Sequence, residues 1–176
     1  MGDQFTRIGA SQSDLNASFS QNVNYKKFGF GVVFDAEFGG DIYDQSRQWG
    51  SRTSVASIDQ RNKPEELEKP VVYYGAVSLY AANIRNDFFL ESATYIKVRE
   101  LSVHYTLAER DIPSWLLASR ATINLTGRNL HTFTSYVGAD PEVGLASLGG
   151  SAAVGRVDEY FYPNFRSFGL DVEMVF

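Results

Sequence analysis

The sequence predicts an all-β fold, in which about five long strands form an antiparallel meander. Three observations predict it: several stretches alternate strictly between apolar and polar residues, aromatic residues and glycine are abundant, and the connections between these stretches are alternately short and long. Successive side chains of a strand point to opposite faces, so a two-residue period indicates strands with one apolar and one polar face. The predicted strands lie near residues 15–25, 28–38, 94–107, 120–134 and 164–176.

The last predicted strand shows the clearest alternation. Its apolar side chains share one face and its small or charged side chains share the other, with Val175 as the single exception. The apolar positions are Phe168, Leu170, Val172, Met174 and Phe176; the polar positions are Ser167, Gly169, Asp171 and Glu173. A strand of this kind covers half of a soluble core or closes a transmembrane barrel, and periodicity alone fits both.

The first two predicted strands alternate in the same way and are joined only by Lys26 and Lys27. So short a link predicts an antiparallel hairpin. Each strand has about the ~9–11 residues that a tilted strand needs to cross the hydrocarbon of a bilayer. A soluble sheet with a solvated back face explains these two strands almost equally well.

The third predicted strand changes phase in its middle. Ile96 and Val98 are out of step with the apolar residues that follow from Leu101. A β-bulge near Arg99 would return both halves to the same face.

Two long connections, 39–92 and 135–161, separate the predicted strands. In the first, the stretch 41–56 is predicted to begin a helix with Asp41 as its N-cap. In the second, Asp140-Pro141-Glu142 predicts a turn, not an acidic site.

The order of the connections is informative. Counted from the C-terminus they are long, short, long and short. A bacterial transmembrane barrel has short periplasmic turns, long extracellular loops and a periplasmic C-terminus, whereas a soluble sandwich has no reason to sort its loops. The arrangement therefore favours a barrel, whose polar strand faces would line the lumen. The predicted lumen-lining residues are Asp35, Glu37, Glu100, Arg128, Asp171 and Glu173.

Composition excludes several classes of function. A net charge of -5 and a pI near 5.0, without a Lys/Arg stripe, argue against a nucleic-acid partner. The chain has no cysteine, so it has neither disulfides nor thiolate metal sites. The start lacks the pattern of a signal peptide. Since an outer-membrane protein must be exported, we expect the chain either not to be one or to be part of a longer one.

No catalytic constellation is visible. His104 and His131 lie on different predicted strands, and no His/Asp/Glu cluster has metal-ligand spacing. We therefore expect no enzymatic activity, no metal and no cofactor.

Three segments carry a resemblance to a known family. They are Asn86–Leu107 (NDFFLESATYIKVRELSVHYTL), Ile123–Gly144 (INLTGRNLHTFTSYVGADPEVG) and Tyr162–Phe176 (YPNFRSFGLDVEMVF). In this order they resemble the C-terminal region of the SusC/RagA family of TonB-dependent outer-membrane transporters. The hairpin at 15–38 and the following GGDIY are also similar to the family, so the resemblance covers nearly the whole chain.

The resemblance implies a fold and a function. It implies the C-terminal portion of a 22-stranded barrel in the outer membrane of a Gram-negative bacterium, with a periplasmic C-terminus and without the plug domain. It implies import of a glycan or peptide oligomer, driven through the TonB complex by way of the missing N-terminal part. The implied partners are a SusD-like surface lipoprotein, the barrel-assembly machinery and outer-membrane lipid.

The ending departs from the usual assembly signal at one position. Such signals often carry glycine five residues before the last aromatic, where this chain has Asp171, and Gly169 comes two residues earlier. The candidate assembly signal comprises Phe168, Gly169, Leu170, Val172, Met174 and Phe176.

Aromatic residues of the first long connection are the candidates for substrate contact. They are Trp49, Tyr73, Tyr74 and Tyr80. Rings with a polar edge suit stacking on sugars or peptides, although packing of the connection itself would also explain them. Two other classes remain open: a soluble β-sheet carbohydrate-binding module, and a small outer-membrane enzyme, for which neither a complete barrel nor a catalytic set is visible.

Overall fold

The computed structural model describes residues 7–53, 64–68, 87–143 and 156–176. In chain order it contains β1 (Leu15–Tyr25), β2 (Phe28–Phe38), β3 (Asp41–Asp44), helix α1 (Gln45–Thr53), β4 (Leu90–Ser92), β5 (Tyr95–Ala108), β6 (Arg120–Thr134), β7 (Val157–Asp158) and β8 (Ser167–Val175). Short 3₁₀ turns cover Glu65–Leu67, Asp87–Phe89, Glu109–Asp111 and Ser114–Leu116. Within the described ranges, no helix has both the length and the apolar character needed to cross a membrane.

The chain divides into two compact units. The first, which we call the sheet unit, comprises 15–37, 95–134 and 164–176. The second, which we call the connection unit, comprises the described parts of 1–14, 38–94 and 135–163.

The sheet unit is one five-stranded sheet in the order β1-β2-β5-β6-β8. The pairs β2–β5, β5–β6 and β6–β8 are antiparallel. The predicted antiparallel meander of five long strands is therefore confirmed. Because neighbouring strands run in opposite directions, the two short connections and the end of β8 lie at one end of this sheet, and both long connections leave from the other.

The predicted bulge is present at Arg99. Val33 pairs with Glu100 and Phe34 with Val98, so Arg99 is the extra residue on β5. As a result Ile96 and Val98 lie on the same face as the apolar residues after the bulge, and the phase change is resolved.

The two faces of the sheet differ in polarity, and the apolar face is the exposed one. The exposed apolar side chains include Phe19, Val23, Phe28, Phe30, Ile96, Val103, Ile123, Leu125, Phe133, Phe168, Leu170 and Val172. On the polar face, a Cβ at Gly29 would collide with the imidazole of His104 and approach Oδ1 of Asn24. Glycine at this position allows side chains of both neighbouring strands to lie flat over β2.

The connection unit contains a second, three-stranded sheet that the sequence did not predict, in the order β4-β3-β7. β3 pairs antiparallel with β4 and parallel with β7. Two buried apolar clusters hold the unit together. One comprises Ile42, Ala93, Tyr136 and Val143, and the other Tyr43, Phe89 and Val157.

The predicted N-cap at Asp41 is wrong. Residues 41–44 are a strand, and Oδ2 of Asp41 accepts a hydrogen bond from the Ala10 backbone N–H at 2.8 Å. The helix begins at Gln45, and Oδ1 of Asp44 caps it by accepting the backbone N–H of Arg47 at 2.8 Å. The helix begins about one turn later than predicted, because residues 41–44 pair with strands on both sides and cannot adopt helical dihedrals at the same time.

Candidate functional site

The polar face of the sheet carries a hydrogen-bonded network at the bulge. Nε of Arg99 lies 2.5 Å from Oδ2 of Asp35, and the hydroxyl of Ser18 donates to Oδ1 of the same carboxylate at 2.7 Å. Three strands, β1, β2 and β5, therefore meet at one carboxylate. Arg99 is the extra residue of the bulge, so its side chain departs from the regular alternation and can pair with Asp35.

A second ion pair lies farther along the same face. Nε of Arg128 on β6 is 2.9 Å from Oε2 of Glu100 on β5, and the two residues are partners in the sheet register. Glu37 is buried and lies opposite Tyr95, while Asp171 and Glu173 lie exposed on β8. All six residues predicted to line a lumen thus share the polar face.

The residues of the candidate assembly signal lie on β8, except Phe176, which follows it. β8 is an edge strand of this sheet, and Phe168 and Phe176 are among its most exposed side chains, at 77% and 81%. Their proposed role in barrel assembly stays a prediction.

Of the four aromatic residues predicted to contact substrate, only Trp49 lies among the described residues; Tyr73, Tyr74 and Tyr80 lie outside them. Trp49 is half-buried on α1, and its ring stacks on Tyr160 with centroids 5.9 Å apart. Trp49 therefore packs within the connection unit, and Tyr160, 57% exposed, is the more accessible ring of the pair.

A pocket of about 420 Å³ opens beside this pair of rings. The first long connection contributes Asp44, Ser46 and Arg47, and the second contributes residues 137–139, Asp158 and 160–162. Its volume is within the roughly 300–1,000 Å³ of small-molecule sites, and its walls combine aromatic rings with a few polar groups, as such sites do.

Buried carboxylates form the polar side of the pocket. Burial raises the pKa of Asp44 above its ordinary value, and the neighbouring carboxylates of Glu91 and Asp158 add to the rise, against the hydrogen bond from the Arg47 N–H. Burial also raises the pKa of Tyr136, followed by the hydrogen bond that its hydroxyl donates to Asp158 at 2.7 Å. Tyr136 consequently remains a protonated donor across the physiological range.

Sequence reasoning did not identify Tyr160, Phe161 and Tyr162 as part of a site. The run of aromatics that follows Asp158-Glu159 is the sequence signal for them, and it lies in the second long connection, not in the first. Tyr160 also has a positive φ of 61°, which is uncommon for a residue with a bulky side chain. Its backbone N–H donates to Oγ of Ser46 at 2.5 Å, and this contact holds the turn in place.

The predicted turn at Asp140 is present. Its Oδ1 accepts the backbone N–H of Glu142 at 3.0 Å, and its carbonyl oxygen accepts that of Val143. Among the described residues, no group of three or more His, Cys, Asp or Glu side chains could hold a metal ion.

Comparison with known proteins gives sequence relatives along almost the entire chain. No family model matches it. The chain is 29% identical over 181 residues to TonB-dependent receptor P39 of Formosa agariphila, and 25% identical over 178 residues to TonB-dependent receptor P3 of the same organism. Each match covers 96% of this chain and 17% of the relative, so the chain spans about one sixth of the length of these receptors.

Solved structures show the same fold. A chain of the RagAB peptide importer in its open-open state superposes with a TM-score of 0.64 and 19% identity, over 94% of this chain and 17% of that chain. The closed-closed state gives a TM-score of 0.65 at 19% identity, over 93% of this chain and 17% of that chain. The five-stranded sheet thus has the fold of part of that importer. Together with the sequence relatives, this confirms the resemblance: along almost its whole length the chain is similar to part of the SusC-like TonB-dependent receptors.

Proposed function

We propose that the chain is part of a TonB-dependent outer-membrane importer of oligomeric nutrients, glycan or peptide. It contributes barrel wall, two extracellular connections and the C-terminal assembly strand. The observation that carries the proposal is the inverted sheet, whose apolar face is exposed while its polar face holds ion pairs between strands.

An exposed apolar face of this extent requires a non-aqueous partner. Soluble monomers rarely expose a contiguous apolar patch larger than a few hundred Å². Burying one large aliphatic or aromatic side chain contributes about 1.5–3 kcal/mol, so a dozen such side chains left in water would be very unfavourable. Lipid chains satisfy the requirement without specific contacts, and this argues against the alternative of a soluble carbohydrate-binding module.

The edges of the sheet support a larger barrel. β1 and β8 are both edge strands, and backbone groups on an open edge cost several kcal/mol each in hydrocarbon. Neighbouring strands from the rest of the receptor would satisfy them, as in the 22-stranded barrel of the family, and the polar face would then line the lumen. In this proposed barrel, the end of the sheet with the short connections and the C-terminus faces the periplasm.

The pocket of the connection unit is the proposed point of contact with cargo. Tyr160 and its neighbours 161 and 162 offer ring surfaces, and the ring of Trp49 stacks on that of Tyr160. Tyr73, Tyr74 and Tyr80 stay candidates for the same role. The proposed partners are a SusD-like surface lipoprotein, the TonB complex through the rest of the receptor, the barrel-assembly machinery and outer-membrane lipid.

Cysteine labelling of the full-length receptor tests this topology. The 176-residue chain has no cysteine, so once any cysteine in the rest of the receptor is replaced, single cysteines can be placed at Val137 in the second long connection and at Ser114 in a short connection. A membrane-impermeant maleimide should label Val137→Cys on intact cells, and Ser114→Cys only after the outer membrane is opened. Equal labelling of both in intact cells, or recovery of the protein from the soluble fraction, would overturn the proposal.

A further inference from the structure

We propose that Glu91 and Asp158 are positioning residues that fasten the two long connections to each other, so that the pocket exists only while both are docked. Each carboxylate uses one oxygen for the first connection and the other for the second. The inference rests on the proposed function only for the pocket's use as a contact for cargo; the fastening itself does not depend on it.

Glu91 is the first of these bridges. Its Oε1 lies 2.6 Å from Nη1 of Arg47 on α1, and its Oε2 accepts the backbone N–H of Val137 at 2.8 Å. The guanidinium of Arg47 also lies over the rings of Phe88 and Phe89, at 5.8 and 5.9 Å from their centroids. The rings fix the guanidinium from one side, so that its N–H groups point at Glu91.

Asp158 is the second bridge and has the same arrangement. Its Oδ1 accepts the hydroxyl of Ser46 at 3.0 Å, and its Oδ2 accepts the hydroxyl of Tyr136 at 2.7 Å. Ser46 belongs to the first connection, and Tyr136 to the second. Asp158 is buried, so removal of its carboxylate would take an acceptor from each of the two hydroxyl groups.

The pocket depends on these contacts because its lining comes from both connections. Asp44, Ser46 and Arg47 form one side, and residues 137–139 and 160–162 form the other. Arg47 and Val137, which meet at Glu91, are lining residues from opposite sides. The loss of one carboxylate should therefore loosen both sides at once, which distinguishes a bridge from local packing.

A simpler account is that the three-stranded sheet and the two apolar clusters already hold the connections together. β3 pairs with both β4 and β7, and Tyr136 packs against Ile42. On that account, removal of a carboxylate would disturb only its own strand. The two accounts predict different patterns of backbone exchange.

Hydrogen exchange on the full-length receptor in detergent micelles, without cargo, separates the two accounts. In Glu91→Gln the amides of 44–50 and 136–143 should both exchange about tenfold faster or more, since hydrogen bonds to a charged group contribute about 1.5–3 kcal/mol. The amides of 95–108 in the sheet unit should not change. Asp87→Asn is the matched control, because it removes the same charge from an exposed position in the same unit and should leave both segments as they are.

Tyr136→Phe provides a milder second variant. It retains the ring that packs in the buried cluster and removes only the hydroxyl that binds Asp158. It should also accelerate exchange in 44–50, a segment that the hydroxyl does not touch directly. Exchange that rises in 90–92 alone for Glu91→Gln, or near residue 136 alone for Tyr136→Phe, would overturn the inference. Neither result bears on the topology of the receptor, which the cysteine labelling tests separately.

Discussion

The two units of the chain differ in where their apolar side chains lie: those of the connection unit are buried, and those of the sheet unit are exposed. In the connection unit Ile42 and Phe89 are both 0% exposed, and each belongs to one of the two buried apolar clusters. In the sheet unit the apolar side chains are outside: Leu125, in the middle of β6, is 56% exposed, while Gly29 and Gly31 on the polar face are buried. The connection unit therefore buries its apolar side chains, as a protein in water does, whereas the sheet unit exposes them.

With the sheet placed in a membrane, as proposed, the reversal follows from the solvent that each unit faces. In water, apolar burial drives folding, and a unit without it has little stability. A sheet in lipid obtains its stability from backbone pairing and from polar contacts on the face away from the lipid. Substitutions that exchange apolar and polar side chains should consequently have opposite effects in the two units.

The largest effect is expected from Phe89→Ala in the full-length receptor. Phe89 is completely buried, and loss of a buried phenyl ring costs about 3–5 kcal/mol. The protection of amides 41–44 against hydrogen exchange should fall accordingly, while that of the sheet strands should not. The neighbouring Phe88→Ala is the control, since Phe88 is 43% exposed and should cost much less. Equal losses in the two variants would mean that this cluster is not a core.

A charge on the apolar face of the sheet should have the next largest effect. Leu125→Arg places a cation between Val103 and Leu170, its register partners. At the middle of a bilayer such a substitution costs about 2–4 kcal/mol, so the receptor in liposomes should unfold at lower urea concentration.

Thr126→Arg is the matched control, one residue along on the polar face. It should leave the unfolding midpoint nearly unchanged. If both arginines destabilise the receptor equally, the apolar face does not contact lipid.

A smaller effect is expected at the helix cap, where charge and capping can be separated. Asp44→Ala should destabilise the connection unit by about 1 kcal/mol, because the Arg47 N–H loses its acceptor. Asp44→Asn keeps an acceptor and removes the repulsion from Glu91 and Asp158, so it should be neutral or stabilising.

The pH dependence of the same residue gives a second measurement. The pKa of Asp44 in the folded state is raised above the ordinary value of 3.8, so the folded state holds the proton more tightly than the unfolded state. The contribution of Asp44 to stability is therefore largest below pH 3.8 and falls as the pH rises through the raised pKa. Exchange-derived stability of 41–50 should show this fall in wild type, and less of it in Asp44→Asn. A steeper fall in the variant would contradict the assignment.

The smallest effect is expected at the short-connection end of the sheet. Nζ of Lys27 lies 2.5 Å from Oδ2 of Asp111, and this hydrogen bond is the main reason why the pKa of Asp111 is lowered. The pair is accessible to solvent, so salt screens it and stability should hardly change in Lys27→Ala. Carboxyl NMR titration should instead show the pKa of Asp111 returning towards 3.8. An unchanged titration would show that Lys27 is not its partner in solution.

The sequence by itself determined the sheet unit, because its signal is local. Alternation with a period of two is visible in consecutive residues. The strands, their two faces and the polar-face residues from Asp35 to Glu173 could therefore be predicted without any knowledge of contacts. The bulge at Arg99 was predictable for the same reason, since it appears as a break in that period. The short link at Lys26-Lys27 also fixed the first pairing.

Only the tertiary structure decided the connection unit. β3, β4 and β7 have at most four residues each, so no period can develop in them, and they come from separate parts of the chain, at 41–44, 90–92 and 157–158. Asp44 rather than Asp41 caps the helix because strand pairing occupies residues 41–44, and strand partners at 90–92 and 157–158 leave no trace in the local sequence. The pocket is decided in the same way: Glu91 and Asp158 become bridges only when the fold brings Arg47, Val137, Ser46 and Tyr136 to their oxygens.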